Sequence, residues 1–569
     1  MIYLPIPHLR DDCMREDASH HAGGLMNISS RWLYLPLMIA ILLMLPRICS
    51  AEFGFFDDAS VLIKSQQLIR GDWNQLLEPG SGRFRPFYWL YPTIIYSLAH
   101  LRSGWFFAGN LLLLIGTTAG IMILSKRLTD SRFIGFWSGI FFVLSGPVIE
   151  NYYTLSKGEP LQVAWILIAL LTLCEWRRMA SRRSKAAILA LLTLWTFLSI
   201  ISKETSLVMV PISIAWFLGT LIYGKYTQEE TNWKQLRAYM LSTFAAAGIY
   251  LLLRFVLLPV NTPSDGYASN YTLDISRILS AARQWERWIR RDFFYLTPLC
   301  ILPIISIVRT RRLNHGKVIF ETLVWMAAWA FVFLPWVFQV EYYMLPFAVG
   351  SSVLGGILLY QTLEIAKRGG KLTRLLALIC VIAAAFFFIV TLPNNLTNAR
   401  LQLTVDENNA AMLSFVVDEL PTNSTLFINI QEPNQYVDDI KLWLAEIMGR
   451  ADLHVEHYQF QTFRSSNGQN PYYYVASPYL DNQYYRSVRL GVGEASSKTW
   501  DESMLSFVGE SADVIFETLG GYRLSIVDIR LGCLIVDEPA YCDIPTVPID
   551  DRILTYGWRI YRIPYAQGQ

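Results

Sequence analysis

Two adjacent carboxylates, Asp57 and Asp58, follow the first long apolar block in the sequence Phe-Gly-Phe-Phe-Asp-Asp-Ala. Neighbouring carboxylates in a poorly hydrated place repel each other, so the pKa of one of them is expected to rise. A carboxylate placed in this way could act as a general base. The structural alternative is that the pair caps a helix beginning near Ala59. The sequence leaves both interpretations open.

Basic residues that could hold a phosphate group occur in two later segments. Arg83 and Arg85 lie in Gly-Arg-Phe-Arg-Pro, and arginine is the preferred bidentate partner of phosphate. Lys203 and Glu204 lie in Ser-Lys-Glu-Thr, at the junction of two apolar blocks. These two residues could form a structural salt bridge, or the lysine could reach the phosphate of a lipid. Both roles remain open at this point.

Further polar residues gather in the loops between other apolar blocks. One loop reads Pro-Val-Ile-Glu-Asn-Tyr-Tyr and then Ser-Lys-Gly-Glu-Pro, which contributes Glu150, Lys157 and Glu159. Another junction carries Tyr342 and Tyr343. Tyrosines are common at the depth of a membrane interface, so on their own they are a weak indication of a site.

The elements that carry these residues are predicted from the composition. Charged residues make up 17% and apolar residues 53% of the 569 residues, with a mean hydropathy of +0.32. A soluble fold could not bury this excess, because the cores of single domains stop growing near about 250–300 residues. The apolar residues form blocks of about 17–22 residues, which match a hydrocarbon core about 30 Å thick. The predicted fold class is therefore a polytopic α-helical membrane protein, and a soluble enzyme, a collagen, a coiled coil and a disordered chain are excluded.

We predict eleven membrane spans. They are residues 32–49, 104–124, 133–149, 160–176, 186–201, 206–223, 239–258, 293–308, 318–338, 342–362 and 375–392. Every second connection is rich in lysine and arginine, beginning with the segment before the first span, as expected for cytosolic loops. This pattern places the N-terminus in the cytosol and the C-terminal segment outside, with all the candidate groups on the outer face. The alternative that 32–49 belongs to a signal peptide is disfavoured, because the preceding segment is about thirty residues long and partly acidic.

Three segments are predicted to lie along the membrane surface rather than to cross it. Within the first outer loop, 50–103, residues 59–77 and 86–100 are read as interfacial helices. Residues 274–292 form a basic helix that carries two tryptophans. This helix is suited either to gripping a lipid phosphate or to resting on anionic headgroups.

The chain changes character after Pro393, where strand-like and helical runs alternate. The predicted elements are strands at Thr425–Ile430, Tyr472–Ala476 and Tyr522–Val527 and a helix at Gln435–Met448. The predicted domains are a cytosolic segment (1–31), a transmembrane domain (32–392) and an extracytoplasmic α/β domain (393–569). Cys533 and Cys542 could form a disulfide in this last domain or could be unrelated thiols.

Composition and motifs also limit the partners. A net charge of +2 argues against a nucleic-acid binder, and the sequence has no Gly-rich phosphate loop and no D-x-D motif. A sugar linked to a polyprenyl phosphate fits better, since its tail would lie between spans, cations would hold its phosphate and a carboxylate would deprotonate the acceptor. No Cys/His cluster predicts a metal site. No cofactor is predicted, although a divalent cation held by Asp and Glu oxygens remains open.

The order of these motifs resembles the GT-C membrane glycosyltransferases. The motifs are an acidic pair after span one, Arg-x-Arg-Pro in the same loop, a loop with Pro-Val-x-Glu and Lys-Gly-Glu, and then Ser-Lys-Glu-Thr. Over about residues 30–350 the chain is similar to the protein O-mannosyltransferase branch, including transmembrane mannosyltransferases with TPR tails. The C-terminal segment looks more like the periplasmic domain of bacterial lipid A aminoarabinose transferases.

The resemblance implies a GT-C-like fold in a bacterial plasma membrane and an inverting transfer of a polyprenyl-phosphate-linked sugar to a protein, lipid or glycan. It also implies roles for residues: Asp57 or Asp58 as the general base, Glu150 and Glu159 as a second acidic motif, and Arg83, Arg85 and Lys203 as donor-phosphate contacts. Lys157, Glu204, Tyr342 and Tyr343 complete the predicted substrate-binding set.

The chain departs from its relatives at several positions. Gly146 stands where many of them have histidine, Lys157 where many have arginine, and Glu341 where arginine is common. Two other functions stay open. A transporter or flippase of lipid-linked sugars predicts ionisable residues near the middle of spans, whereas here they lie at the ends. A non-catalytic protein of cell-envelope glycan assembly predicts no effect on glycosylation when Asp57 and Asp58 become asparagine.

Overall fold

The computed structural model describes residues 28–55, 57–77, 83–176, 181–227, 233–257, 271–310, 314–337, 339–429, 435–457, 471–476, 513–523 and 553–563. Long apolar helices dominate these residues. In chain order the helices are α1 Leu35–Cys49, α2 Asp58–Ile69, α3 Pro86–Ala99, α4 Ser103–Thr129, α5 Arg132–Val143, α6 Gly146–Tyr152, α7 Glu159–Glu175, α8 Arg182–Ser202, α9 Met209–Thr227, α10 Trp233–Leu257, α11 Ile275–Phe293, α12 Leu296–Thr310, α13 Gly316–Phe333, α14 Leu345–Arg368, α15 Lys371–Glu419 and α16 Gln435–Leu442.

Within the described residues, eight helices are long and apolar enough to cross a membrane. The number rises to ten if two bent helix pairs each count as one span, namely α5 with α6, bent by 60°, and α11 with α12, bent by 88°. The predicted span 160–176 corresponds to α7, which has 17 residues. The predicted fold class, a polytopic helical membrane protein with a C-terminal α/β region, is confirmed. The count of eleven spans stays a prediction.

The loop between α1 and α4 contains the two predicted helices and a turn between them. Residues 59–77 form α2 and a short 3₁₀ turn, Trp73–Leu77, while residues 86–100 form α3. Pro86 starts α3 at a position where a missing backbone N–H costs nothing. Val61 and Leu68 of α2 pack with Trp89 of α3, so this loop is a packed unit.

The basic helix α11 turns its tryptophans towards the protein. Trp285 is 2% exposed, its indole N–H donates to Gln339 Oε1 at 2.9 Å, and its ring stacks on Phe333 at 6.0 Å. Trp288 is buried as well, whereas Arg283 is exposed. The two tryptophans of this amphipathic helix therefore pack inside the protein, whereas Arg283 and the apolar Ile275 and Leu279 remain exposed.

The C-terminal region contains a five-stranded sheet. Its strands are β1 Thr425–Asn429, β2 His454–His457, β3 Tyr472–Ala476, β4 Asp513–Arg523 and β5 Ile553–Ile563, in the order β2-β1-β3-β5-β4. The pairs β1–β2 and β1–β3 are parallel, and β3–β5 and β4–β5 are antiparallel. The predicted strands at 425 and 472 are observed, and the predicted strand 522–527 coincides with the end of β4 as far as residue 523. Residues 524–527, Cys533 and Cys542 lie outside the described residues.

A single helix connects the last predicted span to this sheet. The 49 residues of α15 run without interruption through the predicted domain boundary at residue 393. The second half of α15 packs against the sheet, where Phe415 stacks on Phe516 at 4.6 Å and the Trp558 indole N–H donates to Asn409 Oδ1 at 2.8 Å. The sheet is thus held directly on the helix that leaves the membrane segment.

Candidate functional site

The two adjacent carboxylates occupy different environments. Asp57 is exposed, and its backbone is left-handed, with φ 60°. Asp58 is the first residue of α2 and is 3% exposed, and its Oδ2 accepts the backbone N–H of Gly54 at 2.8 Å. Only Asp57 can meet a substrate from solvent without rearrangement.

Asp58 lies next to a buried ion pair. Arg47, near the end of α1, donates to Asp406 of α15 at 2.5 Å, and its guanidinium lies 3.9 Å from the centre of the Phe107 ring. Burial raises the pKa of Asp58 to about 8, and the negative charge of Asp406 acts in the same direction. The Gly54 N–H and Arg47 oppose this shift only partly. Asp58 is therefore protonated at neutral pH, which suits a structural role.

Protonation of Asp58 predicts a pH dependence of stability. The folded protein binds this proton up to about pH 8, whereas an unfolded Asp releases it near its usual value of about 4. The stabilisation is thus complete below about pH 4 and is lost as pH rises towards 8. We expect the thermal unfolding midpoint of wild type to fall by at least about 3 °C from pH 5 to pH 8 relative to that of Asp58→Asn. The exposed Asp72 is the matched control, and Asp72→Asn should keep the wild-type pH slope; a wild-type slope in Asp58→Asn would contradict the prediction.

A second buried ion pair joins the starts of α7 and the Ser-Lys-Glu-Thr segment. Lys203 Nζ lies 2.7 Å from Glu159 Oε1, and the Glu159 side chain is fully buried. Burial lowers the pKa of Lys203, Glu159 opposes this change, and the nearby charges of Arg85 and Arg83 lower the pKa further. Several cations thus lie close enough to repel one another, an arrangement that an added anion would stabilise.

Tyr342 and Tyr343 lie at the centre of this cluster. Lys157 Nζ lies 4.2 Å from the centre of the Tyr342 ring, and Lys203 Nζ lies 5.2 Å from that of Tyr343. The Tyr342 hydroxyl donates to the Tyr343 hydroxyl at 3.2 Å. Asp57 and Glu159 are both within electrostatic reach of Tyr342. The two lysines therefore lie against one aromatic surface, and the exposed carboxylate of Asp57 is close enough to act on it electrostatically.

The loop between α1 and α4 brings two arginines to the same place. Phe84 is buried and packs against Tyr250, with ring centres 6.0 Å apart. This contact fixes the chain between Arg83 and Arg85. Arg85 is buried, with its guanidinium 4.7 Å from the centre of the Tyr88 ring. Arg83 is within electrostatic reach of Tyr343 and Lys203.

The remaining predicted residues lie around this cluster. Glu204 begins a 3₁₀ turn directly after Lys203 and is within electrostatic reach of Tyr250 and Tyr271. Glu150 lies in the short helix α6, where its backbone carbonyl accepts the Thr154 hydroxyl at 2.9 Å. The structure therefore brings together one set, namely Asp57, Arg83, Arg85, Lys157, Glu159, Lys203, Tyr342 and Tyr343, and separates Asp58 from it by burial.

Gly146 and Glu341, two positions at which the sequence departs from the GT-C pattern, lie in one buried cluster. Arg291 donates to Glu341 and also to Asp292, at 2.6 Å in the second case. A Cβ on Gly146 would lie only 3.0–3.1 Å from Glu341 Oε1, Asp292 Oδ2 and Asn395 Oδ1. A larger side chain at position 146 would crowd this group of oxygens. Glu341 is thus a structural ion-pair partner of Arg291, and the basic helix α11 supplies the cation that the sequence alone did not connect to it.

Two further features of the structure concern metal binding and a cavity away from this cluster. Among the residues that the structure describes, no group of three or more His, Cys, Asp or Glu side chains is arranged to hold a metal ion. A cavity of about 650 Å³ lies at the other ends of the helices, lined by residues that include Lys126, Trp216, Lys317 and Trp325. This cavity is separate from the cluster around Tyr342.

Comparison with known proteins finds no matching family model and no matching curated protein. Among solved structures, the chain is similar to ArnT from Cupriavidus metallidurans bound to undecaprenyl phosphate, with a TM-score of 0.46, 12% identity and coverage of 86% of this chain and 97% of that one. It is also similar to the oligosaccharyltransferase AglB from Archaeoglobus fulgidus in complex with an inhibitory peptide and a dolichol-phosphate, with a TM-score of 0.48, 11% identity and coverage of 85% and 73%. The Archaeoglobus fulgidus oligosaccharyltransferase in the apo form gives a TM-score of 0.49, 11% identity and coverage of 94% and 88%.

ArnT and AglB belong to the GT-C superfamily, which the sequence motifs of this chain resemble. At TM-scores below 0.5 the similarity of fold carries no weight for the chemistry. Fold and site together define an integral membrane protein with a cluster of cations, tyrosines and one exposed carboxylate where its helices end.

Proposed function

We propose that this protein is an integral-membrane glycosyltransferase that transfers a sugar from a polyprenyl-phosphate-linked donor to a protein, lipid or glycan acceptor on the outer face of the membrane. The observation that supports this proposal most directly is the position of Lys157 and Lys203 against the Tyr342–Tyr343 pair, with Asp57 within electrostatic reach of Tyr342. The buried Arg85 and its neighbour Arg83 add positive charge to the same place. A cationic site with little water could stabilise the phosphate that leaves. The exposed carboxylate beside it could deprotonate the acceptor.

The proposed reaction is a single inverting displacement. The acceptor oxygen attacks the anomeric carbon of the donor sugar while Asp57 takes its proton. The bond between the anomeric carbon and the phosphate oxygen breaks, and the polyprenyl phosphate leaves with the electron pair and one additional negative charge. Arg83, Arg85 and Lys203 stabilise this charge as it develops, which is where fixed cations in a site with little water act most strongly.

The aromatic residues have a positioning role in this proposal. Tyr342 and Tyr343 would present one ring surface and two hydroxyl groups to the sugar, with Lys157 held against the Tyr342 ring. The polyprenyl tail would lie against the apolar sides of the spans, while Glu159 keeps Lys203 in place. The chemistry needs no nucleotide, so a nucleotide sugar should not be a donor.

The direct test is transfer by the purified protein with a panel of polyprenyl-phosphate sugars and the corresponding nucleotide sugars. We expect transfer only from the lipid-linked donors. Arg85→Gln should raise the KM for the donor at least about tenfold, since it removes one charged phosphate contact. The exposed Arg102 is the matched control, and Arg102→Gln should behave as wild type. Transfer from nucleotide sugars, or equal behaviour of the two variants, would contradict the proposal.

A further inference from the structure

The loop that carries Asp57 is held between the membrane helices and the C-terminal region. Phe53 packs on Trp443, which follows α16, with ring centres 5.9 Å apart. Phe55 is buried and packs on Trp558 of β5 at 5.8 Å. Phe53 also packs on Phe106 of α4, with ring centres 5.6 Å apart. The two aromatic side chains before Asp57 thus join the small α/β region to the loop, and one of them contacts a span as well.

Asp439 of α16 adds a polar contact at Asp57 itself. The Asp439 carboxyl group is 6% exposed and accepts the backbone N–H of Asp57. Burial raises the pKa of Asp439 to about 7, and the charge of Asp57 contributes in the same direction, as expected for two neighbouring carboxyl groups. The contact therefore joins the C-terminal region to the backbone of the proposed base.

Asp57 needs such support because of its conformation. A non-glycine residue is strained in the left-handed region, although aspartate enters it more readily than most. With φ 60°, Asp57 is helped to stay there by contacts from its surroundings. The loop before it is also held by the Gly54 N–H, which donates to Asp58 Oδ2 at 2.8 Å. The Asp57 carbonyl accepts the Val61 N–H at 3.0 Å, and the Asp439 contact acts on the N–H of Asp57 from the C-terminal region.

We propose that Asp439 is a positioning residue for Asp57, through which the C-terminal region sets the orientation of the base towards the Tyr342–Tyr343 pair. This inference rests on the proposed function and extends it, because it gives the α/β region a part in the transfer step. Asp439 makes no contact with substrate in this scheme. It acts only through the Asp57 backbone.

The activity test uses three variants of the full chain. Asp439→Ala removes the acceptor and should lower kcat about 10- to 100-fold, with the KM for donor and acceptor changed less than about threefold. Asp439→Asn keeps an oxygen that accepts the Asp57 N–H and should stay within about threefold of wild type. Asp438→Ala, one residue away and exposed, is the matched control and should be unchanged. Equal losses in Asp439→Ala and Asp439→Asn, or no loss in either, would overturn the proposal.

Two measurements separate this inference from the proposed function. In an Asp57→Asn background, Asp439→Ala should cause no further loss of rate, because a residue that acts through Asp57 has nothing left to position. Hydrogen exchange of the 51–58 segment should be faster in Asp439→Ala than in wild type or Asp439→Asn, whether or not sugar is transferred. Unchanged exchange would refute the positioning role of Asp439 even in an active enzyme. Faster exchange in a protein without transferase activity would refute only the proposed glycosyltransferase function. If the Ala variant does not fold, Asp439→Leu keeps the branched shape of the side chain, lacks the acceptor and takes its place.

Discussion

Replacement of Asp57 by asparagine is expected to lower the rate of sugar transfer by about 10²–10⁴-fold, the usual contribution of a general base. Asparagine has the shape of aspartate but cannot accept the acceptor's proton. The Asp57 backbone contact to Asp439 does not involve the side chain, so the loop should keep its conformation. The measurement is the initial rate of transfer at saturating donor, with the folded state checked by thermal unfolding.

Asp58→Asn is the matched control for this prediction. The amide oxygen of asparagine can still accept the Gly54 N–H, and the amide is uncharged, as a protonated Asp58 is. We therefore expect activity within a few-fold of wild type. An inactive Asp58→Asn beside an active Asp57→Asn would move the base to Asp58, and two fully active variants would exclude a carboxylate base from this loop.

The second large effect is expected at the Glu159–Lys203 pair. Lys203→Met leaves the fully buried Glu159 carboxylate without its cation, and breaking a buried pair in this way costs about 3–5 kcal/mol of folding free energy. It also removes a cation from the proposed phosphate site, for which we expect a loss in kcat of about 10²-fold or more. Both the thermal unfolding midpoint and the transfer rate should fall.

A double variant separates the two roles of Lys203. Glu159→Leu/Lys203→Met replaces the ion pair by apolar side chains and should recover most of the lost stability, as such replacements commonly do. It should not recover transfer, since the phosphate contact is still missing. Recovery of both properties would make the pair purely structural. The half-exposed pair Arg127–Glu175 is the control, and Arg127→Met should change stability by less than about 1 kcal/mol and leave transfer unchanged.

The membrane architecture and most of the site could be predicted because they depend on local patterns. A span needs about 20 consecutive apolar residues, which the sequence displays directly. Charged residues at the ends of such spans are rare enough to single out Arg85, Glu159 and Lys203, and these residues do converge. The alternation of basic loops predicts that these three residues lie at the same ends of the helices.

The contacts that give the site its geometry could not be predicted in this way. Arg47 and Asp406 are separated by 359 positions, and no local pattern pairs them. The predicted domain boundary at residue 393 even assigned them to different domains, because composition changes there although the helix continues. The choice between Asp57 and Asp58 likewise depends on burial by distant segments. Long-range packing decides which of two identical side chains meets solvent.

The continuity of α15 also restricts how the chain length can change. At 1.5 Å per residue its 49 residues extend about 74 Å, more than twice the thickness of the hydrocarbon core. Each residue also turns the helix by about 100°, so Asp406 meets Arg47 at only one rotational phase. One residue inserted between Leu392 and Asp406 would swing the carboxylate away, and seven would nearly restore the phase but shift it outward by about 10 Å. Insertions and deletions among natural variants of this protein should therefore fall in loops. The segment of α15 between Leu392 and Asp406 should keep a constant length.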